Sequence, residues 1–143
     1  MGAVVKRRDF AKIIKQTRQG VFVLPPKVAV PVAAPAVNVG LLLSERIMKV
    51  KAEKVLVNIT YELDAILGDE YCDIILENPN ILFSPEYEVD VIKLLLQLGR
   101  NQRFYLPWPG KIDGQRLTYS EPGRFDYKEY NIKDYVDTYV VLR

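Results

Sequence analysis

The stretch from Val21 to Leu43 decides most of what this chain can fold into. It contains one charged residue, Lys27, and four prolines, Pro25, Pro26, Pro31 and Pro35, in an otherwise largely apolar run. Each proline removes a backbone donor and clashes with the preceding helical turn, so the run argues against a transmembrane helix despite its apolarity. The same prolines break any long central strand. What is left is a short buried strand at Val21-Phe22-Val23-Leu24, an extended Pro/Ala/Val connection, and a second short extended piece from Ala36 to Val39.

The rest of the chain alternates. Leu41-Leu42-Leu43 with Ile47 and Val50 has helical spacing, and Ile59, Leu63, Ile66 and Leu67 predict a helix from about Thr60 that Gly68 closes. Cys72 to Leu76 is a compact strand, Tyr87 to Leu98 a long helix stopped by Gly99, and Arg103 to Leu106 another strand before the rigid turn Pro107-Trp108-Pro109-Gly110. Arg116 to Tyr119 and Tyr139 to Leu142 complete the strands. Strand and helix in alternation with short connections predict an α/β fold, a single domain with a mostly parallel sheet and flanking helices. A length of 143 residues suits one such domain.

Composition narrows the chemistry. The chain has no histidine and one cysteine, Cys72, which excludes His-based triads, His metal sites, intrachain disulfides and thiolate clusters. Any chemistry falls to carboxylates, Lys, Arg, hydroxyls or backbone amides. The net charge of +2 hides an asymmetry: residues 1–54 hold 11 basic and 3 acidic side chains, residues 55–143 hold 9 and 15. The basic excess starts in residues 1–19, read as a basic N-terminal helix, with Lys6, Arg7, Arg8, Lys12, Lys15 and Arg18 around Phe10, Ile13 and Ile14. Such a segment is either a solvated amphipathic helix docked on the core or a contact for nucleic acid or an acidic partner. Position 6 is Lys where a myristoylation pattern requires Ser or Thr, and no apolar run with a cleavage context precedes residue 21. A soluble, cytoplasmic protein without membrane contact is expected. Tyr119, Phe125, Tyr127, Tyr130, Tyr135 and Tyr139 crowd the C-terminal part, either as a recognition surface or as apolar area with wet hydroxyls.

Two positions carry the candidate site. Glu77 stands at the carboxyl end of the Cys72-to-Leu76 strand, in Asp73-Ile-Ile-Leu-Glu77-Asn78-Pro79-Asn80, where open α/β sheets place ligand contacts, and a carboxylate there suits Mg²⁺. A phosphate loop should follow the first strand. The residues there are Pro25-Pro26-Lys27-Val28-Ala29-Val30-Pro31, with no glycine, no hydroxyl and only Lys27 as a cation.

The segment Leu76-Glu77-Asn78-Pro79-Asn80-Ile81-Leu82-Phe83 resembles the strand-end signature, usually Leu-Asp-Asn-Ile-Glu-Ile-Leu-Phe, of the small P-loop ATPase subunit of type 3 BREX phage-defence systems (BrxF). The likeness extends through Leu94 to Asn101, Trp108-Pro109-Gly110 and Leu117 to Arg124 with Tyr127 and Tyr130, and upstream to Val37-Asn38-Val39 and Leu43 to Arg46. It covers about residues 20–142. It implies a truncated P-loop NTPase-like domain over residues 20–143, with Lys27 and Arg100 as nucleotide contacts and Glu77 as metal ligand. The departures are specific. The glycine-rich loop is missing, Glu77 replaces the family's Asp, Asn80 stands where an acidic residue would polarise water, and Arg124 stands where the family has His. The expectation is therefore a catalytically inactive, ATPase-like adaptor or scaffold without a cofactor, working with other defence-system proteins or as a homo-oligomer. The alternatives are an ATPase subunit holding ATP and Mg²⁺ in a non-standard site, and a small nucleic-acid-binding module using the basic N-terminal helix.

Overall fold

In the computed structural model, which describes all residues from Met1 to Arg143, strand β2 (Gly20–Leu24) is buried at every position. Alternation along it sends Val21 and Val23 to one face of a sheet and Phe22 and Leu24 to the other, and both faces are covered. A strand buried on both sides is what a continuous apolar run produces in a parallel sheet. The sheet has six strands in the order β1-β9-β2-β5-β4-β3, every neighbouring pair parallel. Its other members are β1 (Ala3–Val5), β3 (Ala36–Asn38), β4 (Asp73–Glu77), β5 (Arg103–Pro107) and β9 (Thr138–Val141). The α/β class and the parallel sheet are as the sequence predicts.

The two faces are covered unequally. One carries α2 (Val39–Ala52), α3 (Ile59–Leu67), α4 (Val91–Leu98) and a small antiparallel sheet of β6 (Lys111–Asp113), β7 (Arg116–Tyr119) and β8 (Lys128–Asn131). The larger part of the core lies here, built on Leu43, Leu63, Ile74, Leu76, Leu95 and Phe104. The other face carries only the seven-residue helix α1 (Phe10–Gln16) and the proline-rich connection, whose Val28, Val30 and Val32 pack with Phe10, Ile14, Phe22 and Tyr105.

Local chemistry sets the helix starts. The side chains of Asn38, Asn58 and Asp90 accept from the backbone N–H of Leu41, Tyr61 and Lys93, each satisfying an otherwise unpaired donor of the first turn. The helix expected from Tyr87 begins instead at Val91. Pro85–Tyr87 forms a 3₁₀ turn, and Glu88 adopts φ 48, which ends any helical run before the Asp90 cap. The first 19 residues also differ from a single helix. They supply strand β1, a 3₁₀ turn at Arg7–Asp9 and then α1, all built into the sheet and its covering layer. Strands β6 and β8 were not expected. β6 and β7 are joined by Gly114-Gln115, with Gly114 at φ 58.

Candidate functional site

Parallel strands give the sheet a carboxyl edge, where crossover loops leave and ligands usually bind, and an opposite amino edge. Lys27 and Glu77 both lie at the carboxyl edge. Lys27 follows β2 in a turn closed by Val28 N–H donating to the Pro25 carbonyl at 3.4 Å, and its φ of 68 belongs to the left-handed region. Glu77 ends β4 and is exposed, as is Asn80 in the following 3₁₀ turn Pro79–Phe83. Arg100 follows α4 and precedes β5, which puts it at the amino edge beside Asp64, Gly68 and Asp69. A five-residue strand at ~3.3 Å per residue separates the two edges by about 16 Å, so Arg100 does not join the other two. Arg124 is exposed on the connection from β7 to β8 and sits 3.8 Å from Asp126.

Strand β5 runs between β2 and β4, so the strand ends that lead to Lys27 and carry Glu77 are two strand spacings apart, about 10 Å. Aromatic rings fill the region at the end of β5. The Trp108 backbone N–H donates to the Leu24 carbonyl at 2.9 Å, tying the end of β5 to the end of β2. Its indole N–H donates to the Thr118 carbonyl at 2.9 Å. The ring packs edge-on against Phe83 at 5.1 Å and Tyr130 at 5.5 Å, and Phe83 stacks on Tyr119 at 4.5 Å. Phe83 is fully buried and Trp108 nearly so. Tyr119 and Tyr130 thus serve the core, while Phe125 remains exposed.

Nucleotide and Mg²⁺ are the ligands the resemblance implies, and the residues at this edge do not fit them. Pro25 and Pro26 have no N–H to offer a phosphate where a cradle needs several. No Ser or Thr follows β2 within the connection. Next to Glu77, Asn78 is in the left-handed region at φ 51 and donates to the Asn38 side-chain oxygen at 3.1 Å, so this corner is organised around the start of α2.

The strongest electrostatic cluster lies elsewhere and was not picked out in the sequence. Asp73 and Arg103 are direct register partners on β4 and β5. The guanidinium grips the carboxylate through both oxygens, at 2.6 and 2.9 Å, and the Tyr105 hydroxyl donates to Asp73 at 2.7 Å. Another guanidinium nitrogen of Arg103 donates to the carbonyls of Thr17 at 2.8 Å and Ile14 at 3.4 Å, satisfying the C-terminal end of α1. The hydrogen bond from Arg103 holds the Asp73 carboxyl below its ordinary range, against the opposing effect of burial. Burial first, and donation to Asp73 second, push the Tyr105 hydroxyl up. All the oxygens of this cluster are engaged with protein, so its role is structural: it fastens α1 to the sheet.

A second pair, Arg46 on α2 and Glu62 on α3, meets at 2.9 Å, with the Glu62 side chain buried. No helix is long and apolar enough to cross a membrane. No family model, curated protein or solved structure matches the chain.

Proposed function

We propose that the chain is a non-catalytic, ATPase-like subunit: an adaptor or scaffold acting with other proteins of an antiviral-defence complex or with copies of itself. One observation carries the proposal. At the carboxyl edge of the parallel sheet, the strand after which the resemblance calls for a phosphate cradle runs into two prolines, and the neighbouring strand end is packed with Trp108, Phe83, Tyr119 and Tyr130. Phosphoryl transfer depends on backbone amides, a lysine and a metal placed around the terminal phosphate. Lys27 alone, exposed on a turn after β2 and with a whole strand, β5, between it and the strand that carries Glu77, supplies none of that preorganisation.

The surface fits a protein that works by contact. Folding leaves Leu41 and Met48 exposed seven residues apart on α2, with Val55 and Leu56 exposed just beyond its end. Positions seven apart share a helix face, and adjacent exposed apolar side chains on a small domain are a feature of protein-contact surfaces.

Calorimetric titration with ATP and Mg²⁺ tests the proposal. No binding heat is expected. Micromolar binding that disappears in Lys27→Ala overturns it and favours a nucleotide-holding subunit with an unconventional site.

A further inference from the structure

The topology gathers cations that are far apart in sequence. Strands β1, β9 and β2 are consecutive in the sheet, and each ends in positive charge at the carboxyl edge. Lys6, Arg7 and Arg8 follow β1, Lys27 follows β2, and Arg143 follows β9. Arg143 donates to the Pro26 carbonyl at 3.4 Å, which places its guanidinium beside the Lys27 turn from 116 residues away. From this edge the charge continues over the outer side of α1. Phe10 and Ile14 face inward, while Lys12 and Lys15 are exposed on the same flank as Arg8, and exposed Arg18 follows the helix.

None of these eight side chains is in an ion pair. The chain's ion pairs are made by Arg46, Lys51, Arg103, Lys111, Arg116 and Arg124. Asp9 is the single acidic residue among the first 44. The Arg103 contacts to Ile14 and Thr17 hold α1 in place, so the charges are presented from a fixed layer.

We infer that this edge and the outer side of α1 form one surface that binds the phosphate backbone of double-stranded nucleic acid. Three strand ends span about 10 Å and α1 adds about 10 Å, over which a duplex presents a phosphate charge every ~1.7 Å of its axis. The surface lacks what other polyanions would use. The aromatic rings under it, Phe10, Phe22 and Tyr105, are buried, half-buried Tyr139 is stacked on Phe22 at 5.0 Å, and the exposed aromatics Tyr61, Tyr71 and Phe125 belong to other parts of the chain, so the surface has no fully exposed ring on which unpaired bases could stack. No large apolar side chain is exposed between residues 6 and 32, and the single exposed Leu142 beside Arg143 is too little to anchor the surface in a bilayer. Binding is therefore through phosphates and independent of sequence.

The test is fluorescence anisotropy of a labelled duplex over a series of salt concentrations. The full chain is expected to bind at low salt, with affinity falling steeply as salt rises. The triple variant Arg8→Gln, Lys12→Gln, Lys15→Gln should lower the log–log salt slope by about 2.7 and weaken low-salt binding at least about tenfold. A control of equal net charge, Lys49→Gln, Lys54→Gln, Lys133→Gln, should leave both unchanged. Lys27→Gln with Arg143→Gln, which leaves α1 untouched, should lower the slope by about 1.8. Absence of duplex binding at low salt overturns the inference. So do equal losses in the triple variant and its control, tighter binding of the single strand, or tighter capture by phosphatidylserine vesicles.

Discussion

Arg103→Ala is expected to lower the unfolding free energy by about 3 kcal/mol, the loss that follows when one partner of a largely buried ion pair is removed. The figure sits at the low end for such pairs because 21% of the Arg103 side chain is still exposed. The variant leaves Asp73 facing the protein interior with Tyr105 as its only remaining donor, and it strips the carbonyls of Ile14 and Thr17 of their cap. Urea denaturation at neutral pH measures the change. Acid separates the ion pair from simple packing. Because Asp73 is held below its ordinary value near 3.8, the folded chain binds that proton less readily than the unfolded chain. Its stabilisation is fully present above about pH 4 and is lost as pH falls through the lowered folded value. The parent chain should therefore lose stability on acidification more steeply than Arg103→Ala. Equal slopes would show that Asp73 gains nothing from the guanidinium. Tyr105→Phe removes one hydrogen bond and should cost only about 1 kcal/mol.

Phe83→Ala is the second large effect, expected at about 3–5 kcal/mol for deleting a fully buried ring. Phe83 touches Trp108, Tyr119 and Tyr130 at once, and these come from three separate segments, so no single shift of backbone can refill the space. Trp108 is the only tryptophan and is 4% exposed, which makes its emission a direct reporter. In the parent chain it should emit at short wavelength, and in Phe83→Ala it should shift to the red together with an earlier urea midpoint. A variant with parental stability and emission would show that the rings do not close the carboxyl edge.

How much of this could be read from the amino acids depends on which physical signal each element carries. β2 is legible because the four-residue apolar run between Gly20 and Pro25 has only one stable environment, the middle of a covered sheet. β1 is not, since Ala3-Val4-Val5 is too short to show any period and is defined only by pairing with β9. β6 carries a signal in Gly114-Gln115, a two-residue turn with glycine at its first position, whereas β8, Lys128 to Asn131, has one inward side chain, Tyr130, and no pattern to find. The start of α4 lies at Val91 and not Tyr87 because nothing local in the sequence shows that Glu88 takes a left-handed conformation.

The same logic divides the candidate site. Lys27 follows one strand and Glu77 ends another, so their common edge is implied by parallel topology alone. Arg100 follows a helix and precedes a strand, and a residue in that position of a parallel α/β unit lies at the other edge. Its separation from Glu77 was therefore readable in principle. The partnership of Asp73 with Arg103 was not, because it needs the register of two strands 30 residues apart. The meeting of Arg143 with the Lys27 turn is likewise visible only once β9 is seen beside β2.

The position of β9 has a consequence for how the molecule comes into being. It lies between β1 and β2, so Ala3 pairs with Tyr139 and the two earliest strands never touch each other in the sheet. During synthesis β1 has no partner until residues 138–141 have been made, and until then β2 presents a bare, apolar edge. Closing so long a loop is a late and slow event, and an unpaired apolar edge is where nascent chains associate wrongly. The lysines and arginines that follow β1 and flank this gap would repel a second chain in the same unfinished state.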